Sequence, residues 1–362
     1  MSEQNWQFTE ESLEGLFKNE YMGELNSEIV NKILSTVKDI PTRELLYRLI
    51  LIDNDFSLED VQGLAVVEPV IQHPNDKLIS LIGLWIQRDA NQRLLTSPLV
   101  KRLSSINLLP TTKKDCHLWL GDQIVRKHQL TQLDILQAFN HFCSAEEFNR
   151  AGTILILGLG EISRVEVQAD EWLSAIWTNI PLPNQMDLST RIVLRGLQVT
   201  VNYKNKKDIS YISQDLDTFI QQATGKEAFA VVGAAMYMCM TFAQSNPVLA
   251  NRYLLTSLQS LPQARLPDGS KLILPKEAQP EQLIWMTSIG INTIDHLNDW
   301  IKIVKQLTVN QRNHVFAFER AEEGCLLLLN NLYRLEQSKP EEQQQWQVII
   351  SAVAELGIKL VS

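Results

Sequence analysis

The chain has 362 residues, 45% of them apolar and 21% charged, with a net charge of −9. That size and composition suit two or three folding units with a large core, and exclude a disordered or collagen-like chain. The charge argues against nonspecific phosphate binding: residues 1–40 carry 3 basic against 8 acidic groups, residues 41–105 carry 7 against 8, and the remainder is also acidic.

Thirteen prolines and fifteen glycines are few for this length, which favours helices over a many-turned β architecture. With no low-complexity stretch and no Gly/Ser linker, the units are expected to pack directly on one another. Cys116, Cys143, Cys239 and Cys325 are widely spaced within apolar helical patterns, the pattern of reduced, buried thiols and not of a disulfide framework. The polar, acidic start Met1-Ser2-Glu3-Gln4-Asn5 does not read as a signal peptide. The most apolar run, Ala228–Ala243, falls short of the ~20 residues that cross a bilayer and predicts a helix buried on all sides. The expected compartment is the cytoplasm, with no membrane partner.

In chain order, residues 1–40 read as a helical lead-in. Its clearer helix follows Ser27, with Ile29, Val30, Ile33, Leu34 and Val37 on one face. Asp39-Ile40-Pro41 breaks the pattern. Residues 41–108 read as a winged-helix-like domain: helices over Thr42–Ile52, Ser57–Val67 and Pro74–Leu84, then a hairpin from Trp85 to Leu95. In that hairpin Trp85 and Gln87 alternate with Ile86 and Arg88, Asp89-Ala90-Asn91-Gln92 forms a polar tip, and Trp85 is expected to face Leu94. Ser57-Leu58-Glu59-Asp60 is an N-cap with an acidic first turn, and Pro74 suits a first helical turn.

Residues 109–362 read as an α-helical superhelix of solenoid-like helix pairs. Thr131-Gln132-Leu133-Asp134 and Ser144-Ala145-Glu146-Glu147 are two N-cap signatures. Longer helices are predicted over Val165–Asn179, Asp187–Tyr203, Ile209–Ala223, Lys226–Gln244, Pro247–Leu261, Glu281–Leu307, Arg312–Gln337 and Glu341–Leu360. In the Glu281 helix Ile294, Leu297, Ile301 and Val304 form an amphipathic stripe. Pro267-Asp268-Gly269 marks a turn. No period of about 34 residues emerges, so strict tetratricopeptide repeats are not expected. The apolar end Ile358-Lys359-Leu360-Val361-Ser362 reads as a self-association surface or as a truncation of a longer array.

No catalytic, cofactor-binding or metal-binding residue is assigned. Gly225-Lys226 is followed by Glu227, which cannot ligate Mg²⁺ as the hydroxyl of a phosphate loop does. Gly158-Leu159-Gly160-Glu161 lacks a third glycine and follows no strand. Neither a Gly-x-Ser-x-Gly elbow nor a His-Glu-x-x-His pair occurs. Cys116-His117 with His141-Phe142-Cys143 comes nearest to a metal site, but neighbours on a helix point about 100° apart. Cys116 is therefore expected in the core and His141 at a helix contact. His73, His128, His296 and His314 are isolated, and the eight tryptophans read as packing anchors.

The segments Thr42–Leu49 and Leu94–Leu103 are similar to the region just downstream of the nucleotide-binding domain in STAND-class signalling ATPases, the bacterial relatives of NACHT and NB-ARC proteins. Cys116–Leu120 and Phe139–Ala151 resemble the first helices of that class's repeat array. The resemblance covers about residues 27–160. It implies a helical segment and a winged helix followed by a sensor superstructure of helical repeats, without the ATPase core: a piece of a longer protein, or a stand-alone relative. Where the family often places a β-phosphate-sensing histidine, this chain has Ser97, which can donate one hydrogen bond but no imidazolium charge.

The expected function is a non-enzymatic interaction and sensor module of a STAND-like signalling or defence system, taking a protein partner on its helical superhelix. That partner is a separate ATPase or effector, with a second copy of the chain as a further candidate. The alternative is a DNA-binding regulator using the winged helix. It is disfavoured because Pro74–Leu84 carries one lysine against one aspartate, whereas major-groove readers need several Arg, Lys, Asn or Gln side chains.

Overall fold

A computed structural model of the chain describes residues 35–89, 93–97, 108–164, 171–243 and 245–272, with scattered positions between 295 and 351. These residues are mostly helical, with little strand. The chain divides into two compact units, Met1–Glu147 and Phe148–Ser362.

The first unit opens with α1 (Ile40–Ile50). Asp39-Ile40-Pro41 starts this helix where the sequence suggests a break: the Asp39 carboxylate accepts from the Thr42 amide, and Pro41 occupies the first turn. A carboxylate there satisfies a helix-end amide, and proline loses nothing in the first turn. Leu45, Leu46 and Leu49 are completely buried along one face. Helix α2 (Leu58–Val66) begins at a reciprocal cap between Ser57 and Asp60, as the sequence predicts.

Helix α3 (Pro74–Leu81) follows His73, whose φ of 53° turns the chain into the helix. It stops short of the predicted Leu84. Ile82 is extended and Gly83 has φ +118°, a conformation that favours glycine and sends the chain into the hairpin. Strand β1 (Ile86–Arg88) pairs antiparallel with β2 (Leu94–Thr96), matching Ile86 to Thr96 and Arg88 to Leu94. Trp85 therefore does not face Leu94; its carbonyl accepts from the Ser97 amide. Strict alternation also fails, because Trp85 and Ile86 are both buried. On its other side Leu94 exchanges backbone hydrogen bonds with Phe56, between α1 and α2. Tip residues 90–92 lie outside the described residues.

Arg48 is fully buried in the middle of this unit. One terminal nitrogen donates to the carbonyls of Leu64 (2.7 Å) and Val67 (2.8 Å); the other donates to Pro69 (2.8 Å) and pairs with Glu44. One side chain thus holds the end of α2 and the connection into α3.

Helices α4 (Pro110–Val125) and α5 (Gln132–Ser144) belong to the same unit and pack against each other, and α4 also meets α2. Both crossings are too close for a side chain. A Cβ on Gly63 would lie 1.8 Å from the Trp119 ring, and one on Gly121 2.7 Å from Phe142. The Thr131–Asp134 cap forms as predicted. Ser144 is no cap: α5 runs through it, Glu146 takes φ 61°, and the Glu147 amide returns to the Phe142 carbonyl.

The second unit contains α6 (Phe148–Arg164), α7 (Glu171–Ala175), α8 (Leu188–Lys204), α9 (Ser210–Gln222), α10 (Ala228–Phe242) and α11 (Pro247–Ser260). The last four match predicted helices within a few residues at their ends. Helix α6 covers a stretch for which the sequence sets no helix bounds, and Gly158-Leu159-Gly160 lies inside it. Of the helix predicted over Val165–Asn179, the described residues keep only Glu171–Ala175, because the chain turns at Trp177. Alternate helices pack in series, α6 on α8 and α8 on α10, with α9 against α8 and α11 against α10. They start at Phe148, Leu188 and Ala228, a constant step of 40 residues. Leu155, Arg195 and Ala235 occupy equivalent positions at that step, and all three are fully buried.

Arg195 organises this unit as Arg48 does the first. It donates to the carbonyls of Trp177 (2.8 Å) and Ile180 (2.9 Å) and to the side chains of Asp215 (2.7 Å) and Gln198 (2.8 Å). Trp177, at φ 58°, is held in the left-handed region by that bond and by the neighbouring Gln198–Ile176 bond. The Pro267-Asp268-Gly269 turn forms as expected, closed between Leu266 and Ser270. Glu341–Gln343 is a short 3-10 turn ended by extended Gln344, and α-helical residues begin at Trp346, a few residues after the predicted start. Residues 1–34, and nearly all of the helices predicted over Glu281–Leu307 and Arg312–Gln337, lie outside the described residues.

Trp85 is 5% exposed within the core formed by Val61, Leu64, Leu78 and Leu81. Trp85→Ala is expected to cost ~3–5 kcal/mol of stability, measured by urea unfolding. A loss below about 1 kcal/mol would mean that the hairpin does not pack on the helices.

Candidate functional site

Facing side chains of α4 and α5 bring His117 and His141 together. Their Nδ1 atoms are 2.9 Å apart and both rings are buried, with centroids 5.2 Å apart at a 41° tilt. The glycine that admits this proximity is Gly121, one turn beyond His117, against which the Phe142 ring lies. Burial, then the charge of His141 and that of Lys113, push His117 down to about 4. Burial also lowers His141, against the attraction of Asp53 in the α1–α2 connection.

The cysteines beside them do not join the pair. Cys116 is fully buried in the apolar core, and burial raises its thiol to about 12; burial raises Cys143 to about 11. Such thiols are poor nucleophiles and poor ligands. Among the described residues no group of three His, Cys, Asp or Glu side chains is placed to hold a metal ion. Cys116 therefore sits where the sequence reading puts it, and His141 does lie at a helix contact. What that reading misses is that the contact is His117.

Among the described residues, the face a DNA reader would use is poor in available cations. Leu78 and Leu81 of α3 point into the core, while Asn75, Asp76, Ile79 and Ser80 are exposed, so this helix is only half buried. Lys77 is tied to Asp39 at 2.9 Å, and Arg93 of the hairpin to Asp55 at 2.8 Å. Ser97 is buried at the end of β2, its amide used by Trp85.

The most apolar helix departs from expectation. On α10, Ala228, Val231, Val232, Ala235, Met238 and Cys239 are buried, but the helix is not enclosed on all sides. Phe229 (43% exposed) and Met240 (48%) stand out, with half-buried Gly233, Met236 and Tyr237 between them. Spacings of four, seven, eight and eleven residues place all five on one stripe. A Cβ on Gly233 would meet no atom within 4 Å, so the stripe has a notch at its centre.

Comparison with protein-family models, with curated proteins and with solved structures returns no match. Among the described residues no helix is long and apolar enough to cross a membrane.

The lowered histidines set a pH dependence. Below about 6.5 an unfolded chain protonates His117 while the folded chain does not, so stability is complete above that pH and falls as pH drops toward 4. The loss attributable to His117 is about 3 kcal/mol. It is measurable by urea unfolding from pH 7.5 to pH 4, and the slope in that window is reduced in His117→Asn, the remainder coming from His141, which burial also lowers. Asp134 does not confound it. Burial opposes its ionisation, but hydrogen bonds from Lys127 and Thr131 outweigh that and hold it at about 2, so its contribution is lost only at lower pH.

Proposed function

We propose that this chain is a non-enzymatic interaction and sensor module, and that its second unit binds a protein partner presenting an apolar helix face. The observation that carries this reading is the stripe Phe229, Gly233, Met236, Tyr237 and Met240, half open to solvent on an otherwise buried helix. Exposed apolar surface at helical spacing, with a glycine notch at its centre, is the form of a helix-docking face. The serial packing of α6, α8 and α10 at a 40-residue step supports reading this unit as an array of helix pairs, an architecture that offers extended binding surfaces.

The three helices and hairpin of the first unit, with Phe56 bridged to β2, support a winged helix that serves as a packing element. Together the two units correspond to the region beyond the ATPase core in STAND-class proteins, as the resemblance at Thr42–Leu49 and Leu94–Leu103 implies. A cytoplasmic setting, and an ATPase or effector as partner, follow from that resemblance. Ser97 in its buried place offers no charged phosphate contact, so nucleotide response is assigned to the partner.

Phe229→Glu with Met240→Glu is expected to leave the melting temperature within a few degrees, since both residues are exposed, and to weaken partner binding at least about tenfold. A photo-crosslinking residue at Met240, followed by mass spectrometry in the native host, identifies the partner; equal labelling when the crosslinker stands at exposed Leu157 would overturn the reading. ATP hydrolysis by the purified chain would also overturn it. Fluorescence anisotropy against duplex DNA at low salt, where electrostatic attraction is strongest, is expected to show no submicromolar binding. Tight, steeply salt-dependent binding would favour the regulator instead.

A further inference from the structure

We propose that His117 and His141 form a one-proton latch between α4 and α5, closed while their facing Nδ1 atoms share a single proton and opened when each ring carries its own. The geometry requires this count. At 2.9 Å two bare lone pairs would repel and two N–H groups would collide, so one proton lies between the nitrogens. In the neutral state the rings are therefore opposite tautomers: one carries its proton on Nδ1 and donates, while the other carries its proton on Nε2 and accepts.

Adding protons to this pair has two unequal steps. The first extra proton takes the free Nε2 of the donor ring, and the Nδ1–H···Nδ1 bond survives, now assisted by charge. The second must land on the acceptor's Nδ1. It removes the acceptor and leaves two buried cations with centroids 5.2 Å apart.

The groups facing the pair set the order. Asp53, from the α1–α2 connection, attracts a proton to His141, whereas Lys113, one turn before His117 on α4, repels one from His117. Cys116, beside His117, is an un-ionised thiol. At other points along the same helix pair, Lys114–Glu146 and Lys127–Asp134 are already closed ion pairs. His141 is thus the first to charge, donating to His117, and protonation of His117 is the step that opens the latch. Phe142 against Gly121 lies directly beside it, so opening admits water to the C-terminal half of α5 while the core of α1, α2 and α3 stays closed.

The test uses the full chain with ¹⁵N-labelled histidine. Long-range proton–nitrogen NMR at neutral pH is expected to show one of the two buried rings with a protonated Nδ1 and the other with a bare one. On acidification they titrate in two separated steps, and hydrogen exchange of residues 132–144, corrected for intrinsic pH effects, rises at least about tenfold with the second step only. The double variant His117→Phe/His141→Phe is expected to show no such rise. Two identical tautomers, a single step near 6.5, or zinc bound stoichiometrically to the pair at neutral pH would overturn the latch. So would an equal rise in exchange in the double variant. The tautomer measurement on the unaltered chain decides the matter even if that variant does not fold.

Discussion

A guanidinium cannot be neutralised inside a protein, and its burial costs several kcal/mol unless every donor is used. Both units answer that constraint with the terminal nitrogens; Arg195 also uses its Nε, on Asp215, whereas the Nε of Arg48 is buried without a partner among the described residues. Arg48 and Arg195 are each fully buried, and each gives its hydrogens to backbone carbonyls of a non-adjacent connection and to one acidic side chain. Those carbonyls lie where helices end, positions whose acceptors have no partner within their own helix. The arginine solves two problems at once, its own hydration and the loose ends of the chain around it. Trp177 keeps an unfavourable φ because Arg195 and Gln198 fix the carbonyls on either side of it. The remaining packing, leucine against leucine, follows from these fixed connections.

The two glycine contacts show a second kind of dependence. At Gly63 and Gly121 an aromatic ring occupies the place of a side chain, so α4 is held against α2 by Trp119 and against α5 by Phe142. The second contact sets the spacing at which His117 and His141 meet. A polar pair is thus placed by an apolar contact one turn away, and its short separation need not arise from any strong attraction between the rings.

How much of this could be read from the sequence depends on the range of each interaction. The caps at Ser57 and Thr131 depend on residues three positions apart, and both form as read. Ser144 has the same local signature and ends a helix instead, because the chain reverses at Glu146, a choice made by packing and not by the cap residues. The hairpin was visible but its register was not, since Ser97 and Phe56 fix it from outside the strands. The 40-residue step is not legible in the sequence because its equivalent positions hold Leu155, Arg195 and Ala235, alike in burial and unlike in chemistry. Of the candidate site, the sequence marks both histidines and places His141 at a helix contact, but gives no partner for it. Their pairing spans 24 residues and two helices, and the only local hint is Gly121 one turn from His117. The open stripe of α10 was hidden by uniformly apolar composition, which carries no sign of which face is left uncovered.

The two buried arginines also differ in the order in which their partners leave the ribosome. Arg48 precedes its carbonyls by 16, 19 and 21 residues, whereas Arg195 follows its own by 18 and 15. During synthesis α1 emerges with a charged group on the side it must bury, and it cannot settle until Pro69 has appeared. In the second unit the situation is reversed. The connection through Trp177 and Ile180 emerges first and stays solvated until Arg195 arrives with the middle of α8. Arg195 in turn meets its acidic partner Asp215 only 20 residues later, so in both units the buried charge gains its last partner only after a later segment has been made.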